Sequence, residues 1–317
     1  MRSILVLLFL CGLMVLGAAD RDYPVAAVVQ ATKAYRVLGA DKKRVAIINT
    51  KGEIEWEIPN EAREIHDIQL LPNGNVLFQT SYTTVVEVNP SKQIVWQYEA
   101  KPKDGYSDRV EIHSYQRLKN GLTMVAESGN GRIVEVDKKG VIVKTIALIV
   151  DHPNPHRDTR MVRKLDNGHY LVCHEGDGML REYDSAGKVV WTYAIDLNGR
   201  AATPGHGPEG HGNSVFGAIR MPNGNTLIAG GNNNRVFEVT PAGKVVWSID
   251  QKELPGITLA WVTTLTLLPN GNIIFGNTHA GPENPQLIEV TRDKRVVWTF
   301  RDFVNFGNNL VAAQTIP

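Results

Sequence analysis

The architecture follows from one short stretch, Leu71-Pro72-Asn73-Gly74-Asn75, because the chain repeats it. Close copies are Met221-Pro222-Asn223-Gly224-Asn225 and Leu268-Pro269-Asn270-Gly271-Asn272, and weaker copies are Leu118-Lys119-Asn120-Gly121 and Leu165-Asp166-Asn167-Gly168. The Asn-Gly pairs are spaced by 47, 47, 56 and 47 residues. Asn-Gly favours positive φ at both central positions of a turn, so each copy predicts a tight hairpin between two strands.

A second hairpin follows each of these turns, and its last strand usually ends in Trp. Two hairpins make four strands per period of roughly 40 to 50 residues, which is typical of a propeller blade. The second hairpins are Val85 to Val88 with Ile94 to Trp96, Ile133 to Val136 with Val141 to Val143, Leu180 to Tyr183 with Val189 to Trp191, Val236 to Val239 with Val245 to Trp247, and Leu287 to Val290 with Val296 to Trp298.

The two ends of the chain supply the missing parts of one more blade. The segment from Arg36 to Trp56 repeats the later part of a blade without its opening strand, and Val311 to Pro317 aligns with the opening strand that begins at Val262. Pairing of this C-terminal strand with Arg36 to Leu38 would close the ring and remove exposed strand edges. The sequence therefore predicts an all-β, single-domain, six-bladed β-propeller of four-stranded antiparallel blades over residues 20–317.

Residues 1–19 have the pattern of a signal peptide. Arg2 precedes the apolar run Ile4 to Leu10, and the small residues Gly17-Ala18-Ala19 stand before Asp20. The run is too short for a stable membrane span, so we expect cleavage near Ala19, a secreted or periplasmic protein and no transmembrane segment.

Composition and charge exclude several classes of protein. The chain is 43% hydrophobic and 21% charged, which is ordinary for a globular domain. Its 34 basic and 33 acidic residues leave no concentrated positive surface, so nucleic-acid binding is not expected. Loss of the signal peptide removes Cys11 and leaves Cys173 alone in the Tyr170 to Cys173 strand, so no disulfide within the chain is expected and the thiol is predicted to be buried.

The second hairpins resemble a known repeat. Asp184 to Trp191 and Pro241 to Trp247 are similar to the tryptophan-docking repeat of quinoprotein-type, or PQQ-like, propellers. The resemblance covers nearly all of the chain after residue 19 and implies that the Trp side chains pack between blades. Quinoprotein dehydrogenases have eight blades, so six blades imply no bound quinone, and no cofactor is expected. The series consists of Trp56, Trp96, Trp191, Trp247 and Trp298.

A narrower resemblance is to arylsulfotransferase-like propellers. His66 to Asn75 is similar to that family's His-Asp to Leu-Pro-Asn-Gly-Asn stretch, and His211-Gly212-Asn213-Ser214 is similar to its His-x-Asn-Ser stretch. The family has a histidine that accepts the sulfuryl group at the start of the following blade, where this chain has Trp261-Val262-Thr263. The expected arginine is replaced by Gly230 to Asn234, with Arg235 a few residues late. These departures argue against sulfuryl transfer.

The histidines concentrate on one face of the predicted ring. The inner strand of each blade runs down the central channel from the top face, so the Asn-Gly hairpins lie at the bottom. His169 alone is placed beside a hairpin turn. This asymmetry predicts a ligand site at the top of the channel. The histidines on the top face are His66, His113, His152, His156, His174, His206, His211 and His279.

One position on the inner strands, seven residues before each turn Asn, predicts the character of that site. His66, His113 and Arg160 occupy it in three successive blades, followed by Phe216 and Thr263, with Val311 from the last strand. Half of the channel mouth would then be cationic and half largely apolar, which suits an anionic or polyhydroxylated ligand with a flat face toward Phe216 or Trp261. Alternatively, the two histidines hydrogen-bond to neighbouring blades and the channel holds water.

Two classes of function remain open. An exported enzyme would use imidazoles as acid, base or nucleophile, in a His-dependent transferase or a lyase or hydrolase acting on a small molecule or carbohydrate. A non-catalytic propeller would instead bind a glycan, a peptide or a partner protein. The candidate catalytic residues are His66, His113 and His211, and the candidate ligand-binding residues are Arg160, His156, Asn213, His174, Glu175 and Trp261.

Metal binding is a further alternative. His206, Glu209 and His211 lie in one Gly-rich loop, and another blade offers Glu175 and Asp177 beside His174. Neither set has a recognised metal-ligand spacing. Calcium or another divalent ion therefore stays open, without a defined ligand set.

Overall fold

Six four-stranded antiparallel sheets form the ring, as the repeats predict. The computed structural model describes residues 35–41 and 43–316. The predicted signal peptide and Cys11 lie outside these residues. The described residues contain no helix long and apolar enough to cross a membrane.

The first three blades, from the innermost strand outward, are built as follows. Blade 1 has β24 Ala312–Ile316, β1 Arg36–Ala40, β2 Arg44–Ile48 and β3 Ile54–Pro59. Blade 2 has β4 Ile68–Leu70, β5 Val76–Gln79, β6 Thr84–Val88 and β7 Ile94–Glu99. Blade 3 has β8 Glu111–Arg117, β9 Thr123–Ser128, β10 Arg132–Val136 and β11 Ile142–Ala147.

The other three blades have the same order. Blade 4 has β12 Val162–Lys164, β13 Tyr170–His174, β14 Met179–Tyr183 and β15 Val189–Ala194. Blade 5 has β16 Gly217–Arg220, β17 Thr226–Ala229, β18 Val236–Val239 and β19 Val245–Ile249. Blade 6 has β20 Val262–Leu267, β21 Ile273–Asn277, β22 Leu287–Val290 and β23 Val296–Phe300, and the short helix α1 Phe303–Phe306 follows it.

The ring closes through the C-terminal strand. β24 pairs antiparallel with β1, with Leu38 opposite Gln314, and it is the innermost strand of blade 1. The predicted closure is therefore confirmed. This pairing satisfies the edge of β1, which would otherwise be exposed.

The Asn-Gly turns have a different geometry from the one predicted. Gly74 has φ of 82°, but Asn73 is not among the residues with positive φ. The Gly74 N–H donates to the Leu71 carbonyl at 2.9 Å, and the Leu71 N–H donates to the Asn75 carbonyl at 2.8 Å. Because Asn73, at the second central position, does not have positive φ, the turn is of type I and glycine takes the left-handed position after it.

The repeated tryptophans join neighbouring blades. Four of the five indole N–H groups donate to a backbone carbonyl of the next blade, and the resemblance to PQQ-like propellers implies such packing between blades. Such bonds satisfy the polar end of a large apolar side chain. The pairs are Trp56 with Pro90 at 3.1 Å, Trp96 with Asp137 at 3.1 Å, Trp191 with Pro241 at 2.9 Å, and Trp247 with Arg292 at 2.8 Å.

Apolar packing lies mainly between adjacent sheets. One cluster joins Leu38 and Ile47 of blade 1 to Phe78 and Val86 of blade 2. Cys173 is 1% exposed in β13, and its burial raises the pKa of the thiol. The inner strands are thus held rigidly, which fixes the side chains at their upper ends.

Candidate functional site

A cavity of about 170 Å³ lies at the mouth of the central channel. It is lined by the segments that lead into the inner strands, so residues of several blades meet there. Glu64 and His66 come from blade 2 and His156 and Arg160 from blade 4, whereas Trp261 comes from blade 6. The chain therefore builds this cavity from side chains that are far apart in sequence.

A repeated pair of residues places charge at the mouth. Three acidic-x-basic segments recur at a spacing of 47 residues, at the upper ends of three inner strands. Glu64-Ile65-His66 and Asp158-Thr159-Arg160 precede β4 and β12, whereas Glu111-Ile112-His113 begins β8. The sequence-based candidates omit Glu64 and Glu111, although this acidic-x-basic repeat is a signal that would have identified them. Equivalent positions in the ring place these pairs at one height around the axis.

Three histidine rings meet at this height. The rings of His66 and His113 stack with centroids 4.6 Å apart and an interplanar angle of 25°. His156 meets His113 edge-on at 5.2 Å and His66 at 6.0 Å. The Phe216 ring lies 6.5 Å from His66. The structure thus brings together His66, His113 and His156, which belong to three different blades or entry loops.

Glu111 is the common acceptor for two of these rings. Its Oε2 lies 3.0 Å from His113 Nε2 and 2.7 Å from His156 Nδ1, and its Oε1 lies 3.1 Å from Arg109 Nε. Burial alone would raise the pKa of Glu111, but the hydrogen bonds from His113 and His156 outweigh it and hold the pKa well below its usual range. Glu111 is therefore an ionised carboxylate that orients both imidazoles.

Arg160 fixes the proton position on His113. Its Nη1 lies 2.5 Å from His113 Nδ1. A guanidinium group can only donate, so Nδ1 must accept and the ring proton sits on Nε2, where it is donated to Glu111. Burial, reinforced by the nearby Arg160 charge, lowers the pKa of His113 well below its usual value. Both nitrogens of this fully buried, neutral ring are thus occupied within the protein.

This proton assignment bears on metal binding. Ligand atoms of Glu111, His113 and His156 lie within 4.8 Å of one another. A metal on His113 Nε2 would move the ring proton to Nδ1, where it would face the Arg160 donor. The three residues therefore fit a hydrogen-bonded network and do not fit a metal ion in this arrangement.

The calcium alternative meets a similar obstacle. Glu175 contacts Arg157 Nε at 3.0 Å and Arg160 Nε at 2.5 Å. Asp177 pairs with Arg181 Nη1 at 2.6 Å and also accepts backbone N–H groups. Both carboxylates are engaged by arginines, which leaves them poor ligands for a divalent cation.

His156 differs from His113 because one of its nitrogens remains available. Nδ1 faces the Glu111 carboxylate, which can only accept, so the proton sits on Nδ1. Nε2 lies 3.6 Å from Glu64 Oε2, which is too long for a hydrogen bond. The side chain is 30% exposed and lines the cavity. A carboxylate on one nitrogen and a cavity beside the other is the arrangement of an oriented general base.

His66 and Glu64 form the second polar part of the cavity. His66 Nε2 lies 3.4 Å from Glu64 Oε2, and the buried Nδ1 has no hydrogen-bond partner among the described residues. Burial and the Arg160 charge lower the pKa of His66, whereas the neighbouring His66 lowers the pKa of Glu64 to about 2. The cavity therefore presents an ionised Glu64 beside a neutral imidazole at neutral pH.

The structure differs here from the predicted cationic half-ring. His66 and His113 are neutral at neutral pH, because desolvation of a buried imidazole disfavours its charged form. The Arg160 guanidinium is paired with Glu175. The two histidines predicted to be positive are thus uncharged, and the Arg160 charge is compensated by Glu175. The ionised Glu64 gives the cavity acidic character.

An aromatic group completes the cavity. The Trp261 ring lies 4.3 Å from the His206 ring, and His279 lies 5.7 Å from His206. Trp261 and His279 have φ of 45° and 62°, a left-handed conformation that is unfavourable for large side chains. Asn234 Oδ1 accepts the Trp261 N–H at 2.9 Å and holds this backbone in place. Backbone strain at two cavity residues is a feature common at ligand sites.

Comparisons with known proteins agree with the architecture. A protein of unknown function from Bacteroides caccae has a TM-score of 0.74 and 23% identity, over 90% of this chain and 99% of that chain. Streptogramin B lyase has a TM-score of 0.57 and 13% identity, over 86% and 85% of the two chains. A catalytically inactive histidine-to-alanine variant of virginiamycin B lyase from Staphylococcus aureus, with quinupristin, has a TM-score of 0.55 and 13% identity, over 86% of this chain and 87% of that chain. These likenesses show the fold.

Neither a family model nor a curated protein matches the chain. The resemblance of the His66 to Asn75 stretch to arylsulfotransferase-like propellers therefore stays a prediction. What the cavity of this propeller does has to be argued from its own residues.

Five of the sequence-based candidates do not line the cavity. One is His113, which is buried behind the lining residues His156 and Arg160 and contacts both. His174 is fully buried between the Asp158 carbonyl, 2.8 Å from Nδ1, and the Tyr183 hydroxyl, 3.0 Å from Nε2. His211 is 2% exposed, and its Nε2 lies 2.9 Å from the Leu197 carbonyl. Both rings instead hold parts of the blades together. The other two are Asn213, which is exposed, and Glu175, which pairs with arginines.

The buried His174 predicts a measurable loss of stability in acid. Burial lowers the pKa of His174 to about 4, against about 6.5 in an unfolded chain. The unfolded state therefore binds the proton first as the pH falls from 6.5 towards 4, and stability is lost across that window. Urea unfolding measures the free energy of unfolding at about pH 7.5 and about pH 5. The decrease between these two pH values should be about 2 kcal/mol smaller in His174→Asn than in the wild type.

The matched control for this prediction is His152→Asn. The His152 side chain is 76% exposed, so its substitution should leave the pH dependence unchanged. Identical pH dependence of the wild type and His174→Asn would contradict a depressed pKa at His174.

Proposed function

We propose that the mouth cavity binds a polyhydroxylated, sugar-like small molecule. The observation that carries the proposal is the combination of two acceptors that face one cavity, the ionised Glu64 carboxylate and His156 Nε2, with the aromatic surface of Trp261. Hydroxyl groups of a sugar would donate to both acceptors. The apolar face of the sugar ring would pack on Trp261.

The charges favour this ligand over an anion. Asp41 and Glu64 line the cavity, and Arg160, the one formally charged cation among its described lining residues, is paired with Glu175. A carboxylate or sulfate would meet Glu64 without a free positive partner. The volume of about 170 Å³ is below the range of about 300–1,000 Å³ of drug-sized pockets, so the cavity fits one ring or the end of a glycan.

As an enzyme, the protein would use His156 as a general base. Glu111 orients the ring through Nδ1, and Nε2 would take a proton from a ligand hydroxyl, an acidic C–H or a bound water. His113 would act as a positioning residue, since both of its nitrogens are occupied. This role suits a lyase or hydrolase, and Trp261 in place of an acceptor histidine argues against sulfuryl transfer.

The propeller lyases offer support by analogy only. The virginiamycin B lyase variant described as catalytically inactive has one histidine replaced by alanine. A propeller can thus carry histidine-dependent chemistry, and the fold itself does not specify the reaction. Export of this chain, which the pattern of residues 1–19 predicts, would place the site where glycans are available.

A panel of neutral, acidic and amino-sugar oligosaccharides tests the binding proposal. Trp261 is a direct reporter, so tryptophan fluorescence should change on titration with a neutral saccharide. Glu64→Gln should weaken binding about tenfold, roughly 1.4 kcal/mol, because it removes charge-assisted acceptance of ligand hydroxyls. Glu61→Gln is the matched control, since Glu61 is an exposed neighbour that does not line the cavity. Equal affinities of the wild type and Glu64→Gln would contradict the proposed contact.

A non-catalytic scaffold is the second candidate, and the outer strands favour it. These strands and the turns that lead into them expose aliphatic side chains at the rim of the ring, including Ile94 at 57%, Val141 at 55% and Val246 at 49%. Exposed apolar edge strands are common sites of protein association. A scaffold would lose partner binding when Val141→Lys is introduced, and it would turn over no saccharide. An enzyme would turn over a saccharide, and Val141→Lys would leave that turnover unchanged.

A further inference from the structure

A second cavity, of about 270 Å³, lies in the body of the channel and shares only His66 with the mouth cavity. Gln314, Gln69, Gln116 and Arg163 line it from the inner strands of blades 1 to 4. Gln69, Gln116 and Arg163 each lie four residues before the Asn of a hairpin turn, so the symmetry of the ring places them at one height in the channel. Four consecutive blades thus supply a side chain with N–H donors.

The amide oxygens of the three glutamines hold adjacent blades together. Each Oε1 accepts a backbone N–H from the next blade, and a peptide N–H can only donate, so the oxygen of each amide is assigned by chemistry. Each remaining Nε2 is a donor without a hydrogen-bond partner among the described residues. The bonds are Leu70 N to Gln314 at 2.7 Å, Arg117 N to Gln69 at 2.8 Å and Lys164 N to Gln116 at 2.9 Å.

Asp67 does not compete for these donors. Its two oxygens accept five hydrogen bonds, two of them from Arg163 at 2.6 and 2.8 Å. The other three come from Ser114 Oγ and from the backbone N–H groups of Ile68 and Tyr115. Among the described residues that line this cavity, Asp67 is the carboxylate, and its acceptor capacity is used.

We propose that the lower channel is a second binding site, for a small anion held by the Nε2 groups of Gln69, Gln116 and Gln314. These donors line a cavity that a small ligand can enter, and a ligand rich in acceptors would accept hydrogen bonds from several of them at once. The anion would lie beside the paired guanidinium of Arg163, which adds a positive charge to this height of the channel. The site is independent of the proposed saccharide site, since the two cavities share only His66.

Substitution of glutamine by glutamate tests the proposal with little change in shape. Gln116→Glu keeps an oxygen to accept the Lys164 N–H and replaces the NH₂ donor by a negative oxygen. Gln314→Glu makes the same exchange in blade 1 and serves as a second variant. Gln97→Glu on β7 adds the same charge at an exposed position and is the matched control.

Bromide is the probe, and anomalous scattering from crystals soaked in sodium bromide locates it. We expect a bromide peak in the lower channel of the wild type and of Gln97→Glu, and none in Gln116→Glu or Gln314→Glu. In solution, bromide and acetate should each raise the thermal midpoint of the wild type saturably, and tenfold higher concentrations should be needed in Gln116→Glu. Water alone in the wild-type channel, a peak retained in both variants, or a peak without saturation in solution would overturn the proposal.

Discussion

Replacement of Asp67 by alanine should lower the free energy of unfolding by about 3–5 kcal/mol, because it strands a partly buried guanidinium. Asp67 is 6% exposed and joins three blades, since its partners include Ser114 of blade 3 and Arg163 of blade 4. Without the carboxylate, the Arg163 guanidinium loses its charged partner, and both it and the Ser114 hydroxyl keep only neutral acceptors such as the Val162 carbonyl. The 28% exposure of the Arg163 side chain favours the lower end of this range. Urea unfolding of the purified variant measures the effect.

Asp166→Ala provides the matched control for this prediction. Asp166 forms an ion pair with Lys119 at 2.7 Å, but both side chains are more than 90% exposed. Exposed pairs contribute little, so this variant should unfold within about 1 kcal/mol of the wild type. Equal stability of Asp67→Ala and Asp166→Ala would show that the inter-blade network does not stabilise the ring.

The second large effect is expected at His156. If the cavity is catalytic, His156→Ala should lower kcat by about 10²–10⁴-fold on any saccharide of the panel that the wild type transforms. The reason is that His156 combines an oriented Nδ1 with an Nε2 that faces the cavity. Glu111→Gln should lower kcat less than His156→Ala and should shift the pH profile, because Glu111 acts through the imidazole.

His152→Ala is the control for the catalytic prediction, since this exposed histidine lies outside the cavity. It should retain wild-type kcat. Turnover that is unchanged in His156→Ala would contradict the general-base role. A wild type that binds saccharides and transforms none of the panel would support a binding protein over an enzyme.

The fold could be predicted because its signals are local and repeated. The turn at Leu71 to Asn75 fixes where two strands meet, and its copies set the blade period without any knowledge of long-range contacts. Even the ring closure follows, because Val311 to Pro317 matches an opening strand that the first blade lacks. The detail of the turn could not be predicted in the same way, since Asn-Gly also fits a turn in which only the glycine has positive φ, and the copies with and without proline both adopt it.

The meeting of side chains at the channel mouth was predictable from the sequence, but their charge and protonation were not. Blade equivalence brings His66, His113 and Arg160 to one height, because residues at one offset occupy related places around the axis. Their charge depends on burial and on Glu64 and Glu111, and neither follows from the spacing of basic residues. His174 shows that burial cannot be predicted from the position of a histidine in the repeat. The sequence places it on the top face, but in the structure its side chain is buried within the blade.

The crystal structure of the protein in complex with the saccharide that binds most tightly tests the central claim most directly. We predict ligand density in the mouth cavity, with one hydroxyl within about 3 Å of His156 Nε2, another on Glu64 and the flat face of a sugar ring on Trp261. Density confined to another surface, such as the outer strands near Val141, would contradict the assignment of the mouth cavity as the ligand site.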